Sequence, residues 1–192
     1  MTPKPEQPKK SKQKHTTRGF FQNHRATFKA LGIFVASIAF FFFILISHAL
    51  DRYLVYPFTS LVAQISSLIL NLVGYDTAVK GTFLTSTGAS LNIGTGCNGL
   101  EAVIIFISAI LAFPARWQNK LLGLLLGFIG IFIINQTRVI GLYLVSRYAS
   151  QHLDLAHTYI GQTYVIISGV ALWILWAEKV SNASKKTALT ST

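Results

Sequence analysis

From Ala30 to Ser47 the chain carries no acidic or basic side chain, and its centre reads GIFVASIAFFFFILI. As an α-helix such a run covers the roughly 30 Å of a bilayer's hydrocarbon core. In lipid only a helix or a closed barrel satisfies its own backbone, so this stretch leaves few folds open. Three more apolar runs follow: Leu100 to Phe113, Leu121 to about Tyr143, and Ile160 to Ala177. With 52% of 192 residues hydrophobic and only 6 acidic, the composition excludes an ordinary soluble domain. The expected fold class is an all-α polytopic membrane protein.

A net charge of +11 invites a nucleic-acid reading, but the charges are in the wrong places for it. Eight of the 17 basic residues lie in positions 1–29, and Lys179, Lys185 and Lys186 cluster near the other end. Basic ends that flank apolar spans follow the positive-inside rule and suit membrane lipids, so no nucleic-acid partner is expected. Residues 1–29 are too polar to bury a core and read as a disordered basic cytoplasmic tail. Residues 30–180 form the membrane domain, and 181–192 a second cytoplasmic tail. Ser47-His48-Ala49 has the small residues of a signal-peptidase site. The long preceding basic region and the long apolar run favour an uncleaved anchor.

Between the first two spans the pattern is mixed. Phe58 to Gly74 is apolar but interrupted by Gln64, Ser66, Ser67 and Asn71. Residues 77–93 read as extended structure, and Thr82–Thr85 and Leu91–Ile93 around a Ser86-Thr87-Gly88 turn suggest a short extracytoplasmic hairpin. If Phe58–Gly74 crossed the membrane, a cytoplasmic N-terminus would put Arg116, Lys120 and the C-terminal lysines outside. If it does not cross, every basic region falls inside. The expectation is therefore about four transmembrane helices plus an outer interfacial or re-entrant helix. Trp117, Trp173 and Trp176 then sit at the inner boundary, and the tyrosines in or near the outer half.

This topology brings three reactive side chains to one face. Cys97, the only cysteine, stands between a Gly/Thr/Ser-rich segment and the Leu100 run, so it forms no internal disulfide. A helix N-terminus there favours thiolate. Arg138, in Asn135-Gln136-Thr137-Arg138, reaches the outer boundary about 20 residues into the third span. His157 opens the last span at the same face. Each has a plain alternative: a small inert thiol, a snorkelling arginine, an interfacial histidine. Together they match what amide cleavage needs. Histidine converts thiol to thiolate, and a fixed guanidinium stabilises the oxyanion. Arginine suits that role better than lysine because its donors form a rigid fork.

Two other patterns are set aside. Gly94-Thr95-Gly96-Cys97-Asn98-Gly99 fits G-x-G-x-x-G, but it precedes a membrane-buried helix and no acid follows near 20 residues on. His152, Asp154 and His157 are poor evidence for zinc. No cofactor or metal is expected.

The blocks Gly96-Cys97-Asn98-Gly99-Leu100-Glu101, Asn135-Gln136-Thr137-Arg138-Val139-Ile140 and Ala156-His157 resemble the three signature blocks of the exosortase/archaeosortase family. Ala112-Phe113-Pro114-Ala115-Arg116 and the short chain resemble its small exosortase H branch. The resemblance covers roughly residues 60–178. It implies a cysteine protease/transpeptidase of the bacterial cytoplasmic (inner) membrane, with its active site on the extracytoplasmic side. Its partners would be exported proteins bearing C-terminal sorting signals: a short motif, a transmembrane helix and a basic tail. By position it implies Cys97 as nucleophile, Arg138 as oxyanion or carbonyl stabiliser and His157 as base. Asn98, Glu101 and Asn135 are supporting candidates, and Glu101 either orients Arg138 or caps the helix start. A non-enzymatic assembly or transport subunit, with Arg138 paired to Glu101, is the alternative. The topology is checked with reporter fusions after Asp51 and after Gly74, which are expected to report the same side. Opposite sides would mean that the intervening segment crosses.

Overall fold

A computed structural model of the chain describes residues 25–47, 50–94 and 96–190, with side chains through residue 183. The segment 1–24 of the expected tail, and His48-Ala49 of the candidate cleavage site, lie outside the described residues. Helix forms where the apolar runs lie, because a backbone in hydrocarbon must close its hydrogen bonds within its own segment. α1 is Arg25–Leu45, and a π-helical turn, Asp51–Val55, leads into α2, Tyr56–Leu72. Pro57 falls in the first turn of α2, where a missing N–H costs nothing. Strands β1 (Thr77–Lys80), β2 (Phe83–Ser86) and β3 (Ala89–Asn92) follow. Then come α3, Leu100–Ala112, and α4, Trp117–Tyr148. A 3-10 turn (Ser150–His152), one α-turn (Leu153–Leu155) and a π-helical turn (Ala156–Gly161) lead to α5, Gln162–Thr190.

The chain is a mostly helical polytopic membrane protein. Among the described residues, four helical stretches are long and apolar enough to cross: Arg25–Leu45, Asp51–Leu72, Trp117–Tyr148 and Ser150–Ala183. Their number agrees with expectation, but the set differs. α3 has 13 residues, about 20 Å of helix, short of the roughly 30 Å core. Asp51–Leu72 has the length that α3 lacks. The polar residues of α2 are divided between the protein and the exposed face. Ser66 donates to Gln136 Oε1 at 2.6 Å, and Asn71 Nδ2 to the Thr77 carbonyl at 3.0 Å. Leu61, Leu68 and Leu72 are among the exposed side chains. Of the polar residues that argued for an interfacial helix, Ser66 and Ser67 are buried against the protein, whereas Gln64 and Asn71 stay exposed.

The expected hairpin is one half of a three-stranded antiparallel meander in the order β1-β2-β3. Thr77–Lys80 begins the extended stretch 77–93, ahead of the two segments expected to pair as a hairpin. It is recruited by pairing Val79 with Leu84, which pairs in turn with Leu91. That row faces inward and joins Val62, Leu70, Cys97, Val139 and Tyr143 in one buried cluster. Burial of each such aliphatic side chain stabilises by about 1.5–3 kcal/mol.

Contacts give the packing direction. α3 and α4 are antiparallel, with Phe106 against Gly127 and Gly99 against Asn135. α4 and α5 are antiparallel as well: Gly123 meets Trp176, Gly130 meets Leu172, and Gly161 meets Arg138. α2 climbs α4 in the same direction, Phe58 packing on Phe128 and Phe132, Ser66 on Gln136, and Tyr75 on Tyr143. The three tryptophans gather at the Trp117 end: Trp173 and Trp176 pack on Phe113, and Lys120 lies over Trp117. The sheet and Tyr75, Tyr143 and Tyr148 occupy the opposite end. α5 continues to Thr190, through the segment expected as a tail.

Small residues set the α3–α4 distance. A Cβ at Gly127 would fall inside the Phe106 ring, which is itself buried. Gly127→Ala is therefore expected to destabilise the fold by about 1–3 kcal/mol, as overpacking does. Combining it with Phe106→Leu should recover part of the loss in thermal unfolding in detergent.

Candidate active site

The Cys97 loop hangs between the sheet and α3. Ile93 N–H bonds the Thr82 carbonyl at 3.0 Å, and Cys97 N–H closes a turn on Gly94 at 3.0 Å. Gly96 and Gly99, both at φ +83, take left-handed conformations that other residues adopt only with strain. Gly99 has a second reason to be glycine. A Cβ there would lie 2.9 Å from Asn135 Cγ, so the loop backbone rests directly on that side chain.

Asn98 is the strut of this loop. Its Nδ2 donates to Thr59 Oγ1 at 2.9 Å, and its Oδ1 accepts the Leu100 N–H at 3.1 Å. Thr59 Oγ1 in turn donates to the Val55 carbonyl at 2.7 Å. Asn98 thus ties the loop to the start of α2. Nothing in the sequence marked Thr59 for this part, because its partner is 39 residues away.

Arg138 is 5% exposed and does not snorkel. Nη1 donates to the Gly96 carbonyl at 2.8 Å and Nη2 to the His157 carbonyl at 3.4 Å. One guanidinium therefore links the residue before Cys97, its own helix, and His157. The three signature blocks meet through it. Gly161 makes room, since a Cβ there would lie 2.8 Å from Arg138 Nε and 3.1 Å from the Ala156 carbonyl. Gly161 was missed in the sequence. The signal available was a glycine four residues after His157 in Ala156-His157-Thr158-Tyr159-Ile160-Gly161.

His157 lies in a π-helical turn, Ala156–Gly161, in the first part of the last candidate span, Ser150–Ala183. π-bulges widen a helix and recur at functional sites. His157 joins the cluster through its backbone, and no hydrogen bond connects its ring to the Cys97 thiol. Resting sites often hold catalytic pairs apart until substrate closes them. The Thr137 and Tyr164 hydroxyls meet at 2.9 Å and bind α4 to α5 at the same level.

Glu101 neither pairs with Arg138 nor caps α3, whose cap position is Gly99 without a side-chain bond. Glu101 Oε1 lies 3.9 Å from the place of a Gly96 Cβ, next to the loop. The structural pair that would have supported a non-enzymatic subunit is not formed. Asn135 is 1% exposed, one turn before Arg138 on the same face of α4.

The expected thiolate is corrected by burial. Cys97 is 0% exposed, and removal from water pushes its thiol above the ordinary range. The Arg138 charge pulls it back in part, and Glu101 adds to the rise. In this closed arrangement desolvation outweighs the helix terminus and the guanidinium.

A membrane-spanning helical bundle that gathers a cysteine, an arginine and a histidine around one buried guanidinium is the class these features define. Over residues 24–177 the chain matches the family model of the transmembrane exosortases, EpsH type, and it belongs to that family. It is thus a membrane-embedded, sorting-related protein. The match begins well before residue 60, so α1 and α2 belong to the family domain. No curated protein and no solved structure matches the chain.

The thiol's titration gives a test. Alkylation of Cys97 in the folded protein should rise with pH at a midpoint above that of a free thiol. Arg138→Gln removes the opposing charge and should move the midpoint higher still, read from iodoacetamide rates. Because the folded thiol holds its proton longer than the unfolded one, its contribution to stability is complete below the ordinary thiol pKa. That contribution falls as pH rises through the shifted value.

Proposed function

We propose that the chain is a membrane-embedded cysteine protease/transpeptidase that cleaves the C-terminal sorting signals of exported proteins. The observation that carries this reading is the Arg138 guanidinium bridging the carbonyls of Gly96 and His157. It draws all three signature blocks to one end of the bundle. Arg116 and Lys120 lie at the other end, and by the positive-inside rule that end faces the cytoplasm. The site then opens on the outer face of the bacterial cytoplasmic membrane, where an exported protein presents its signal.

The reaction follows from the groups present. His157 takes the thiol proton, and Cys97 Sγ attacks the scissile carbonyl carbon. An S–C bond forms while the carbonyl π pair moves onto oxygen. Arg138 stabilises the charge that develops there, in a site where little water competes. Collapse restores the carbonyl, breaks the C–N bond and passes the proton from His157 to the departing amine. The thioester left on Cys97 is released by an amine or by water. A cavity of about 520 Å³ between α1, α3 and α5 supports the reading. Its apolar lining runs along α3 from Ala102 to Phe113, so it offers a lateral seat for the signal's transmembrane helix.

The test is a co-expressed exported protein carrying a motif, a transmembrane helix and a basic tail. Cys97→Ala should leave it full length, and Cys97→Ser should be almost as inactive. Arg138→Lys keeps the charge but loses the fork, with an expected loss on the order of 100-fold. His157→Ala should be severe near neutral pH and recover in part at higher pH, where hydroxide supplies thiolate. Processing at the native rate by Cys97→Ala would end the enzymatic reading.

A further inference from the structure

Among the described residues, three side-chain amides are buried at this end of the bundle: Asn98, Asn135 and Gln136. Asn98 uses both its oxygen and its nitrogen, and Gln136 Oε1 accepts from Ser66. Asn135 differs, because neither its Nδ2 nor its Oδ1 has a partner. An amide that is 1% exposed and wholly unpaired loses its water without compensation, so a folded protein keeps one there only against stability.

Its surroundings say what it waits for. The Asn135 amide lies under Gly99, two residues after Cys97, where the missing Cβ lets the loop backbone approach. Arg138, one turn on, has both Nη atoms engaged with the Gly96 and His157 carbonyls. Its Nε is unpartnered but walled by Gly161. Gln136 Nε2 is unpartnered too, but the donor that lies against the cysteine loop at Gly99 is on Asn135. Below it the bundle is apolar, with Val103, Phe106 and Ile131 in the next buried cluster, so protein groups do not complete the pair.

We infer that the Asn135 carboxamide binds the substrate's scissile peptide, its Nδ2–H donating to the carbonyl oxygen as that becomes an oxyanion. The inference rests on the cysteine-peptidase reading above. In the attack step the S–C bond forms and the π pair moves to oxygen, where Nδ2–H meets it. Oδ1 accepts a backbone N–H of the same extended segment. A neutral donor beside a cationic one divides the work: Arg138 supplies charge and holds the loops together, while Asn135 supplies a directed N–H that is already free in the resting site. No donor must be pulled off a carbonyl before chemistry can begin.

The test compares Asn135→Leu and Asn135→Asp with wild type, using purified full-length enzyme in proteoliposomes and a substrate carrying its complete C-terminal signal. Asn135→Leu removes both unpaired atoms at similar volume, so the melting temperature should hold or rise. Its kcat should fall on the order of 100-fold with KM little changed, the signature of a lost oxyanion donor. Asn135→Asp should be as slow at neutral pH. Its rate relative to wild type should climb as pH falls, because a protonated carboxyl regains an O–H donor, and burial brings that protonation within reach. Native kcat in Asn135→Leu overturns the inference. So does an Asn135→Asp/wild-type ratio that stays flat with pH, which decides the matter if Asn135→Leu does not fold. Cys97→Ala and Arg138→Lys are run alongside. Native activity in Cys97→Ala would remove the peptidase reading and this inference with it, whereas loss there with native Asn135→Leu removes this inference alone.

Discussion

A guanidinium buried at the end of a helical bundle has to be held by something, because a charge out of water is costly wherever it is left bare. In this protein the holders are two main-chain carbonyls, Gly96 and His157. Hydrogen bonds to a charged group contribute about 1.5–3 kcal/mol each. They also fix where the Cys97 loop and the α5 entry sit relative to α4. Carbonyl dipoles orient the guanidinium without cancelling its charge, as a carboxylate would. Glu101 stands close to the loop and is not drawn into a pair. The same cation therefore serves as a structural bolt and remains an electrostatic resource at the thiol.

Around this bolt the polar groups form ties between elements distant in sequence. Thr59 to Asn98, Ser66 to Gln136, and Ser67 and Asn71 to Thr77 fasten α2 to the cysteine loop, to α4 and to the sheet. Tyr143 and Arg147 reach Ser86 across the top of the sheet, and Arg147 lies over Tyr75. A neutral hydrogen bond nets only about 0.5–1.5 kcal/mol, but leaving one partner unpaired in the interior costs more. Ties of this kind select a register in a medium where apolar contact alone barely distinguishes one helix rotation from another. At the Trp117 end no such network is needed. There Phe113, Trp173 and Trp176 pack edge to face, and the glycines of α4 let α3 and α5 close in.

Burial also sets the state of the thiol. A cysteine fully out of water is slow to ionise, and His157 reaches the cluster through its backbone rather than its ring. The left-handed glycines on either side of Cys97 set the path of the loop that carries it.

Apolar runs and the placement of charge were enough to establish a helical membrane protein, because hydrocarbon admits so few backbone solutions. The Cys97, Arg138 and His157 blocks were legible as well, since helix length alone sends Arg138 toward the cysteine's face. Pairings between segments far apart in the chain were not legible. β1 takes its register because Val79 finds Leu84, and α2 buries Ser66 and Ser67 because Gln136 and Thr77 are there to receive them. Gly161 matters only because Arg138 Nε lies against it. The shift of the thiol away from thiolate likewise depended on how completely the sheet, α2 and α4 close over it. A sequence records which side chains are present and how far each lies along its helix. Desolvation and the partners of buried donors depend on what packs across the gap, and only the tertiary structure decides that.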